Sequence, residues 1–158
     1  MAKLDIIIPV YNEDENIIKL LKLLDKEVIC DFRVLICYDY EKDPTLEIIK
    51  NSFSNNDKIV FIKNFSTGFN NALVSGFKNS TADAVVFYMA DDHINHGTIN
   101  LCYGKFVEGY QIVCPSRFIK GGQMIGNPFF KALLTRLASF FLYNFTSFPI
   151  KDATNSFR

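Results

Sequence analysis

The sequence predicts an α/β fold of three layers, with helices on both sides of a mostly parallel central sheet. Three observations support this prediction. Short runs rich in β-branched residues alternate with segments of helical periodicity, as in βαβ units. The runs are apolar almost throughout, which is typical of strands buried on both faces. A chain of 158 residues with 49% hydrophobic and 22% charged residues is also long enough to bury a core around such a sheet.

The elements follow one another in a regular order. The first helix follows Asn12, which can cap it, with Glu15 three residues later as in a capping box. Apolar residues then repeat at helical spacing as far as Leu24. In the third helix, Ala72 and Gly76 place small residues on one face. The predicted strands are Leu4–Val10, Phe32–Tyr38, Lys58–Lys63, Ala84–Met89 and Tyr110–Pro115, and the predicted later helices are Thr45–Phe53, Gly68–Asn79 and 98–107.

Composition and charge argue against several classes of protein. The 17 basic and 17 acidic side chains give a net charge of zero, which is unlike a domain built to coat nucleic acid. Four cysteines without Cys-x-x-Cys spacing, and only two histidines, argue against a structural zinc site and favour reduced thiols in a cytoplasmic compartment. No run of 18 uncharged apolar residues is present, so we expect no membrane span. The N-terminus leads directly into a strand-like run, so we expect no signal peptide. Without a repeat or a linker, residues 1–158 are predicted to form one domain.

The carboxyl ends of the strands are where a parallel sheet places its ligand site. The first of these ends holds Pro9, Tyr11 and Glu13, without the Gly-rich loop of dinucleotide-binding or P-loop proteins. A flat ring and a carboxylate could hold a base and a ribose there, or they could be a surface tyrosine and a helix cap. After the second strand, Asp43 precedes a proline and is typical of a helix cap, so Asp39 is the better ligand candidate.

Two adjacent carboxylates, Asp91 and Asp92, follow the fourth predicted strand. They repel each other, and a divalent cation would relieve that repulsion. Oxygen ligands suit Mg²⁺ or Mn²⁺, which then bridge to substrate phosphates. A solvated acidic turn is the alternative, but the position at the edge of the sheet weighs against it. The sequence therefore favours a metal site at this strand end.

A basic segment follows the fifth predicted strand. Arg117, Lys120 and the paired glycines Gly121 and Gly122 could wrap an anionic group, with the arginine as a forked donor. A flexible basic loop is the alternative reading of the same residues.

The segment Phe129–Phe148 is too apolar for an ordinary surface helix, yet Lys131 and Arg136 oppose deep burial. We predict an amphipathic helix that lies in a membrane interface, where the two cations face anionic headgroups. A helix that completes the core of the sheet is the alternative.

Taken in order, these stretches resemble family 2 glycosyltransferases of the GT-A (Rossmann-like) fold, near the polyprenyl-phosphate and dolichyl-phosphate sugar synthases. The likeness covers essentially the whole chain and depends on the order and spacing of motifs that are individually weak. The matching stretches are Ile6-Ile7-Ile8-Pro9-Val10-Tyr11-Asn12-Glu13, Asp39 with Asp43, Gly68 with Ala72 and Gly76, Met89-Ala90-Asp91-Asp92, Ser116-Arg117-Phe118 with Gly121-Gly122, and Asp152-Ala153-Thr154-Asn155-Ser156-Phe157-Arg158.

The resemblance implies a role for each matching residue. Asp92 corresponds to the last Asp of the family's Asp-x-Asp metal motif, and with Asp91 it would hold Mg²⁺ or Mn²⁺. Arg117 corresponds to the Arg that meets phosphate groups near the acceptor, with Lys120 beside it. Asp152 opens a segment that resembles the family's Asp-x-Thr-Ser-Gly-Phe-Arg and is the third catalytic candidate. The implied nucleotide-binding residues are Pro9, Tyr11, Glu13, Asp39 and Asp91.

The chain departs from the family pattern in three places. The first Asp of the metal motif falls on Ala90, so that the metal would be held by Asp92 alone, by Asp91 and Asp92 together, or weakly. Ser156 stands where the family has Gly. The sequence stops at Arg158, inside a motif, so we expect a catalytic domain that is incomplete at its C-terminus.

The activity that the resemblance implies is that of a metal-dependent inverting glycosyltransferase (a hexosyltransferase) of cell-envelope biosynthesis, peripheral at the inner face of the membrane. The donor is a nucleotide-diphospho-sugar, the acceptor a lipid phosphate or a glycan, and nucleic acid is not a partner. An ionised lipid phosphate needs no general base, whereas a hydroxyl needs one, for which Asp152 is a candidate. The lack of a clear Glu-Asp base motif favours the lipid phosphate. The alternatives are a non-catalytic nucleotide-sugar-binding or membrane-scaffold protein, and a sugar nucleotidyltransferase, which should have a Gly-rich loop after the first strand.

Overall fold

The computed structural model describes residues 3–54, 56–119, 121–122, 128–153 and 155. Within these residues the chain forms four strands and five helices. The chain divides into two compact units, one within residues 1–111, here called the sheet unit, and one within residues 112–158, here called the C-terminal unit. The expectation that residues 1–158 form a single domain stays a prediction. In chain order the elements are β1 Leu4–Val10, α1 Asn16–Glu27, β2 Phe32–Tyr38, α2 Pro44–Ser52, β3 Ile59–Lys63, α3 Phe69–Asn79, β4 Ala84–Phe87, α4 His96–Val107 and α5 Phe129–Phe145.

The four strands of the sheet unit form one parallel sheet in the order β3-β2-β1-β4. Right-handed crossovers in this order put α1 and α2 on one face and α3 on the other, so the predicted three-layer α/β class is confirmed. Consecutive residues of β1, such as Ile6, Ile7 and Ile8, are fully buried because both faces of the strand are covered.

The face covered by α3 shows how closely helix and sheet approach. A cluster of Ile7, Leu35, Cys37, Ala72 and Phe87 fills this face. A Cβ atom built on Gly76 would come within 2.6 Å of the Ile7 side chain, so only glycine fits there without a shift of the packing. The prediction of small residues on one face of the third helix is therefore confirmed. Burial raises the pKa of the Cys37 thiol to about 12, so this cysteine is an inert core residue.

The predicted fifth strand, Tyr110–Pro115, is wrong. The segment has no strand structure, and Tyr110 and Ile112 are 57% and 79% exposed. Its first residues complete the end of α4 instead. Gly109 takes a φ of 100°, and the Tyr110 N–H donates to the Lys105 carbonyl at 3.2 Å. Gly109 and Tyr110 therefore form the turn that ends α4.

The predicted capping box at the start of α1 is also wrong. The helix begins at Asn16, and Glu15 at the N-cap makes no side-chain capping bond. Asp14 takes that place, because its carboxylate accepts from the Asn16 N–H at 2.7 Å. Asn12 instead lies in the left-handed region, with φ 53°, and its N–H donates to Asp43.

In the C-terminal unit, α5 leaves most of its apolar side chains exposed. It ends at Phe145, three residues before the predicted end at Phe148. Ser139 is the one buried residue among those of this helix. No described helix is both long and apolar enough to cross a membrane. Exposed apolar side chains of the helix include Phe129, Phe130, Leu134, Leu137, Phe140, Phe141 and Phe145.

Candidate functional site

A cleft of about 400 Å³ lies at the carboxyl ends of the strands in the sheet unit. The strand order reverses direction between β1 and β4, and a crevice is expected at such a switch point. All five predicted nucleotide-binding residues line this cleft. The lining residues are Pro9, Val10, Tyr11, Glu13, Asp39, Asn64, Gly68, Phe69, Ala72, Met89, Ala90 and Asp91.

Asp39, directly after β2, is held at the cleft by two neutral donors. Its carboxylate accepts from the Asn64 side-chain amide at 2.7 Å and from the Gly68 N–H at 3.0 Å. Gly68 has a φ of 102°, a conformation that favours glycine, and it is the N-cap of α3. The residues that follow β2 and β3 are thereby fixed to one another at the start of a helix.

The loop between β1 and α1 is fastened to the start of α2. Asp43 is the predicted helix cap, since it accepts from the Thr45 N–H at 2.9 Å, and it also accepts from the Asn12 N–H at 3.1 Å. The Glu13 N–H donates to the Thr45 hydroxyl at 2.8 Å. Asp43 is thus a structural residue, whereas Tyr11 and Glu13 of the loop line the cleft.

The loop also carries an exposed aromatic ring, that of Tyr11. Tyr11 is 63% exposed, and its ring meets the Tyr40 ring edge-on with centroids 5.9 Å apart. The Tyr40 hydroxyl donates to the Asn12 side chain, which fixes Tyr40 to the loop that contains Tyr11. A flat ring supported at the rim of the cleft is suited to stacking on a base.

The cleft is acidic. Burial raises the pKa of the Glu13 carboxyl; a hydrogen bond from the Tyr11 backbone opposes this, and the nearby charges of Asp91, Asp14 and Asp43 add to the increase. No Lys or Arg is among the residues described as lining the cleft. The negative charges of such a site repel one another, and a cation or a hydroxyl donor that binds there reduces this repulsion.

The two adjacent carboxylates after β4 face different surroundings. Asp91 is exposed and lines the cleft, whereas Asp92 does not line it. The Asp92 carboxylate accepts from the N–H groups of Ile94 and Asn95, both at 3.0 Å, and from the Asn95 amide at 2.7 Å. Burial pushes the pKa of Asp92 upward, but these bonds and the Tyr88 hydroxyl outweigh it and hold that pKa below its usual value. Asp92 therefore stabilises the turn before α4, and Asp91 is the carboxylate open to a ligand.

The described residues include no cluster of three or more His, Cys, Asp or Glu side chains that could hold a metal. The donor set at the cleft suits a different kind of metal site. Mg²⁺ and Mn²⁺ commonly take one or two protein carboxylates and complete their coordination with water and substrate phosphates. Asp91 fits a cation of that kind, and Glu13 is close enough for the Asp91 charge to raise its pKa.

In the C-terminal unit, two predicted catalytic residues are paired with each other. Arg117 donates from Nε and Nη2 to the two carboxylate oxygens of Asp152 at 2.9 and 2.6 Å, and the Arg117 N–H donates to the same carboxylate at 2.9 Å. The Asp152 side chain is fully buried, and the hydrogen bond to it raises the pKa of Arg117. Asp152 is not placed to take a proton in this arrangement. Lys120, Thr154 and residues 156–158, which belong to the predicted acceptor site and the final motif, lie outside the described residues.

Two residues that line the cleft were not predicted as site residues. Asn64 follows β3 at the carboxyl edge of the sheet and holds Asp39, so the strand-end rule alone could have found it. Its side-chain oxygen is buried without a hydrogen-bond partner. Phe69 also lines the cleft and packs edge-on against Phe87 at 5.7 Å between centroids.

The fold and the cleft define an open α/β domain that places its ligand site at the ends of parallel strands. The crystal structure of S. aureus TarS 1–349 in complex with UDP-GlcNAc shares this fold, with a TM-score of 0.56 and 22% identity over 75% of this chain and 38% of that one. The sequence profile of Glycosyl transferase family 2 matches residues 5–157, and the chain belongs to this family. The predicted GT-A fold and the family resemblance are therefore confirmed.

Two relatives show what members of this family do. Over 135 residues the chain is 27% identical to dolichol-phosphate mannosyltransferase of Pyrococcus furiosus. This match covers 85% of this chain and 38% of that protein. Over 112 residues it is 25% identical to GalNAc(5)-diNAcBac-PP-undecaprenol beta-1,3-glucosyltransferase of Campylobacter jejuni. This match covers 70% of this chain and 36% of that protein. The chain thus spans less than two fifths of the length of these relatives.

Proposed function

We propose that the protein is an inverting glycosyltransferase that moves a sugar from a nucleotide-diphospho-sugar to a lipid phosphate. The observation that supports it most is the gathering of Tyr11, Glu13, Asp39 and Asp91 around one cleft at the switch point of the sheet. The names of two relatives, with dolichol-phosphate and undecaprenol-linked substrates, support the lipid part of the proposal.

The donor is bound by the sheet unit. The Tyr11 ring stacks on the base, and the Asp39 and Glu13 carboxylates accept hydrogen bonds from ribose hydroxyls, which are neutral donors suited to an acidic pocket. Asn64 and Gly68 hold Asp39 in position for this role. The acceptor oxygen attacks the anomeric carbon in line with the departing nucleoside diphosphate, so the configuration at that carbon inverts.

A divalent cation fits the acidic wall of the cleft. Asp91 would hold it, with Glu13 beside Asp91, while Asp92 keeps the turn in place from behind. Such a cation supplies positive charge where negative charge develops on the leaving diphosphate. This assignment gives Asp91 the ligand role and Asp92 the supporting role.

The acceptor chemistry follows from the state of Asp152. Because both of its oxygens are engaged by Arg117, Asp152 is a poor general base. A lipid phosphate is already ionised at neutral pH and needs no base, whereas a sugar hydroxyl does. The pairing of Arg117 with Asp152 therefore supports a phosphate acceptor over a glycan acceptor.

The apolar face of α5 lies in the interface of the membrane that holds the lipid acceptor. Phe140 and Phe141 are 61% and 59% exposed, and large apolar side chains exposed together on one helix mark a surface that binds a membrane or a partner. Lys131 and Arg136 on the same helix would face anionic headgroups while their stems follow the apolar boundary.

Turnover of the protein with polyprenyl phosphate and a mixture of sugar nucleotides, read by mass spectrometry, tests the activity. The expected product is a glycosyl polyprenyl phosphate, formed with Mg²⁺ or Mn²⁺ present and lost on chelation. Transfer to free sugars but not to the lipid phosphate would overturn the acceptor. Binding of nucleotide without any transfer would leave a non-catalytic binding protein as the better description.

Vesicle flotation tests the membrane proposal. The double variant Phe140→Ser/Phe141→Ser is expected to float less than the parent protein, most clearly on anionic vesicles. The matched control is Ile29→Ser/Leu101→Ser, which removes two apolar side chains that are 87% and 73% exposed in the sheet unit. Equal flotation of both double variants, or no flotation of the parent protein, would contradict the membrane proposal.

A further inference from the structure

The outer face of α4, in the sheet unit, differs from that of an ordinary surface helix. Leu101 and Val107 are 73% and 67% exposed on it. The neighbouring helix α1, which packs beside α4, exposes only polar residues, as is typical of a helix that faces water. The exposed residues of α4 are two glycines, two apolar residues and one lysine, namely Gly97, Leu101, Gly104, Lys105 and Val107.

Within the described chain, neither packing nor backbone conformation requires the two glycines of this face. A Cβ atom built on Gly97 or Gly104 would meet no atom within 4 Å, whereas one built on Gly76 of α3 would collide with the Ile7 side chain. Neither Gly97 nor Gly104 has a positive φ. Glycine also weakens the interior of a helix relative to alanine. Glycines on either side of an exposed leucine therefore point to a second helix that approaches this face closely.

The opposite side of α4 is fixed to the rest of the sheet unit. Ile99 is 1% exposed, and the Asn100 side chain joins α4 to the end of α1. The Asn100 amide donates to the Glu27 carbonyl at 2.7 Å, and the Asn100 side-chain oxygen accepts from the Ile29 N–H at 3.0 Å. A rotation of α4 that buried Leu101 would break these bonds, so the outer face stays available to a partner.

We propose that this face pairs with the same face of a second copy of the chain, with the two α4 helices antiparallel. Gly97 lies as far before the midpoint between Asn100 and Leu101 as Gly104 lies after it. Because seven residues are about two helical turns, both glycines lie on the same side. Reversal about the midpoint places Gly97 of each copy opposite Gly104 of the other and brings the two Leu101 side chains together. Such a self-complementary pattern is what a two-fold symmetric interface requires.

Charge complementarity favours the antiparallel direction. Glu108, directly after α4, is exposed on the same side as Leu101, from which it is about two turns distant. Lys105 contacts one of its two carboxylate oxygens at 2.7 Å. In the antiparallel pair Glu108 lies beside the start of the other α4, where the N-cap residue Asn95 makes no side-chain capping bond. A carboxylate stabilises this positive end of a helix, whereas a parallel pair would bring two Glu108 carboxylates together.

The expected dimer is weak and reversible. A pair of helices of 12 residues makes a contact only about 18 Å long, which is small for a specific interface. The net charge of zero adds no general repulsion between the copies. The pairing does not use the cleft, so its failure would leave the proposed function unaffected.

Sedimentation equilibrium over a range of protein concentrations tests the pairing. The parent protein is expected to show a reversible equilibrium between monomer and dimer, with a Kd in the micromolar range. A parent that stays monomeric up to about 1 mM would overturn the proposal. Because Leu101 also belongs to the flotation control Ile29→Ser/Leu101→Ser, flotation is compared at protein concentrations at which the parent is a monomer.

Leu101→Glu tests whether α4 carries the contact. It puts two like charges at the centre of the pair and is expected to weaken dimerisation by at least about tenfold. Since the side chain is exposed, the melting temperature of the dilute protein should not change. The matched control is Phe77→Glu, at a 54% exposed position of α3 in the same unit, and it is expected to dimerise as the parent does. Equal weakening in both variants, or in neither, would overturn the proposal.

Gly104→Leu tests the close approach of the two helices. The new side chain fits the single chain, because nothing lies near this position, and leucine favours a helix more than glycine does. The melting temperature of the dilute protein should therefore be unchanged or higher, while dimerisation weakens several-fold because the added bulk holds the helices apart. Dimerisation as strong as that of the parent would contradict the proposal.

Glu108→Lys tests the direction of the pair. In the antiparallel arrangement the lysine lies beside the positive end of the other α4, so dimerisation should weaken several-fold at low salt and less at high salt. In a parallel arrangement the change replaces one pair of like charges by another and has little effect. Unchanged or stronger dimerisation would contradict the antiparallel pair.

Discussion

The carboxylates at the two edges of the sheet have different hydrogen-bond and charge partners. At the amino edge, Asp5 is fully buried and forms a forked pair with Arg33 at 2.8 and 2.9 Å. The Ser80 hydroxyl and the Thr81 N–H also donate to it. At the carboxyl edge, Asp39 accepts from two neutral donors, the Asn64 amide and the Gly68 N–H, and none of the described lining residues is cationic.

The pKa values of the two edges differ accordingly. Burial pushes the pKa of Asp5 upward, but the bonds from Arg33, Ser80 and Thr81 outweigh burial and leave that pKa below its ordinary value. At Glu13 burial is reinforced by neighbouring acids, and the pKa is raised. The comparison teaches that the acid at the amino edge stabilises the fold, whereas ionisation of Glu13 at the carboxyl edge carries some loss of stability.

The largest effect should come from Asp5→Ala. This change removes the fully buried acceptor of the Arg33 guanidinium, which is itself 29% exposed, and of two further donors, so the free energy of unfolding should fall by about 3–5 kcal/mol. Chemical denaturation measures it. The matched variant is Asp91→Ala at the other edge, where the side chain is exposed and should change stability by less than about 1 kcal/mol. Similar losses in both variants would remove the distinction between the edges.

The next effect concerns ligand affinity. Asp39→Ala should weaken binding of UDP or GDP by about 1–3 kcal/mol, because it removes an acceptor and leaves the Asn64 amide unpaired. Calorimetry with each nucleotide measures the loss. Asp25→Ala, on exposed α1, is the control. An affinity that is equal in Asp39→Ala and the parent would exclude Asp39 from the nucleotide site.

A comparison of Asp91→Asn with Asp92→Asn tests which of these two carboxylates at the carboxyl edge is the metal ligand. Asp91→Asn should remove most of the Mn²⁺ dependence of nucleotide binding, because it neutralises the carboxylate that lines the cleft. Asp92→Asn should retain that dependence and instead lower stability by about 1 kcal/mol, as in the loss of a helix-capping group. The reverse outcome would restore the assignment expected from the sequence, with Asp92 as the main ligand.

The smallest effect should be a pH-dependent gain of stability in Glu13→Gln. Since the folded state raises the pKa of Glu13, ionisation of this group destabilises the fold, and that loss develops as pH rises from the ordinary glutamate pKa through the raised one. Glu13→Gln should therefore be more stable than the parent at neutral pH, by less than about 1 kcal/mol, and equal to it at a pH below the ordinary value. Melting curves across that range check the sign; a variant that is less stable at neutral pH would contradict it.

The strand-end rule predicted much of the lining of the cleft, because buried apolar runs are easy to recognise and their carboxyl ends must share one edge. Pro9, Tyr11, Glu13, Asp39 and Asp91 all line the cleft for this reason. Their roles in binding stay predictions. The cap formed by Asp43 was also predictable, because an Asp before a proline has a local structural meaning.

The choice between Asp91 and Asp92 could not be predicted. The strand β4 ends at Phe87 and not at Met89, so the side-chain alternation of a strand stops before these residues are reached. The turn that follows, closed by Asn95, then decides which carboxylate faces the cleft. Such turns depend on hydrogen bonds between side chain and backbone that no periodicity reveals.

The pairing of Arg117 with Asp152 was hidden for another reason. The two residues are 35 positions apart and belong to separate motifs, so each was assigned a catalytic role of its own. Long-range contacts of this kind depend on tertiary packing.

The double anchor at Asp43 has a consequence for how a ligand enters the cleft. Asn12 lies in the left-handed region of backbone conformation and is held there by Asp43 and by Tyr40, while Thr45 holds the next residue of the loop. The rim of the cleft is thus shaped during folding. Ordering a loop on binding opposes association by about 1–2 kcal/mol of entropy per residue, and a loop that is already fixed avoids this loss. A ligand of the cleft can then bind and dissociate without a rearrangement of this segment.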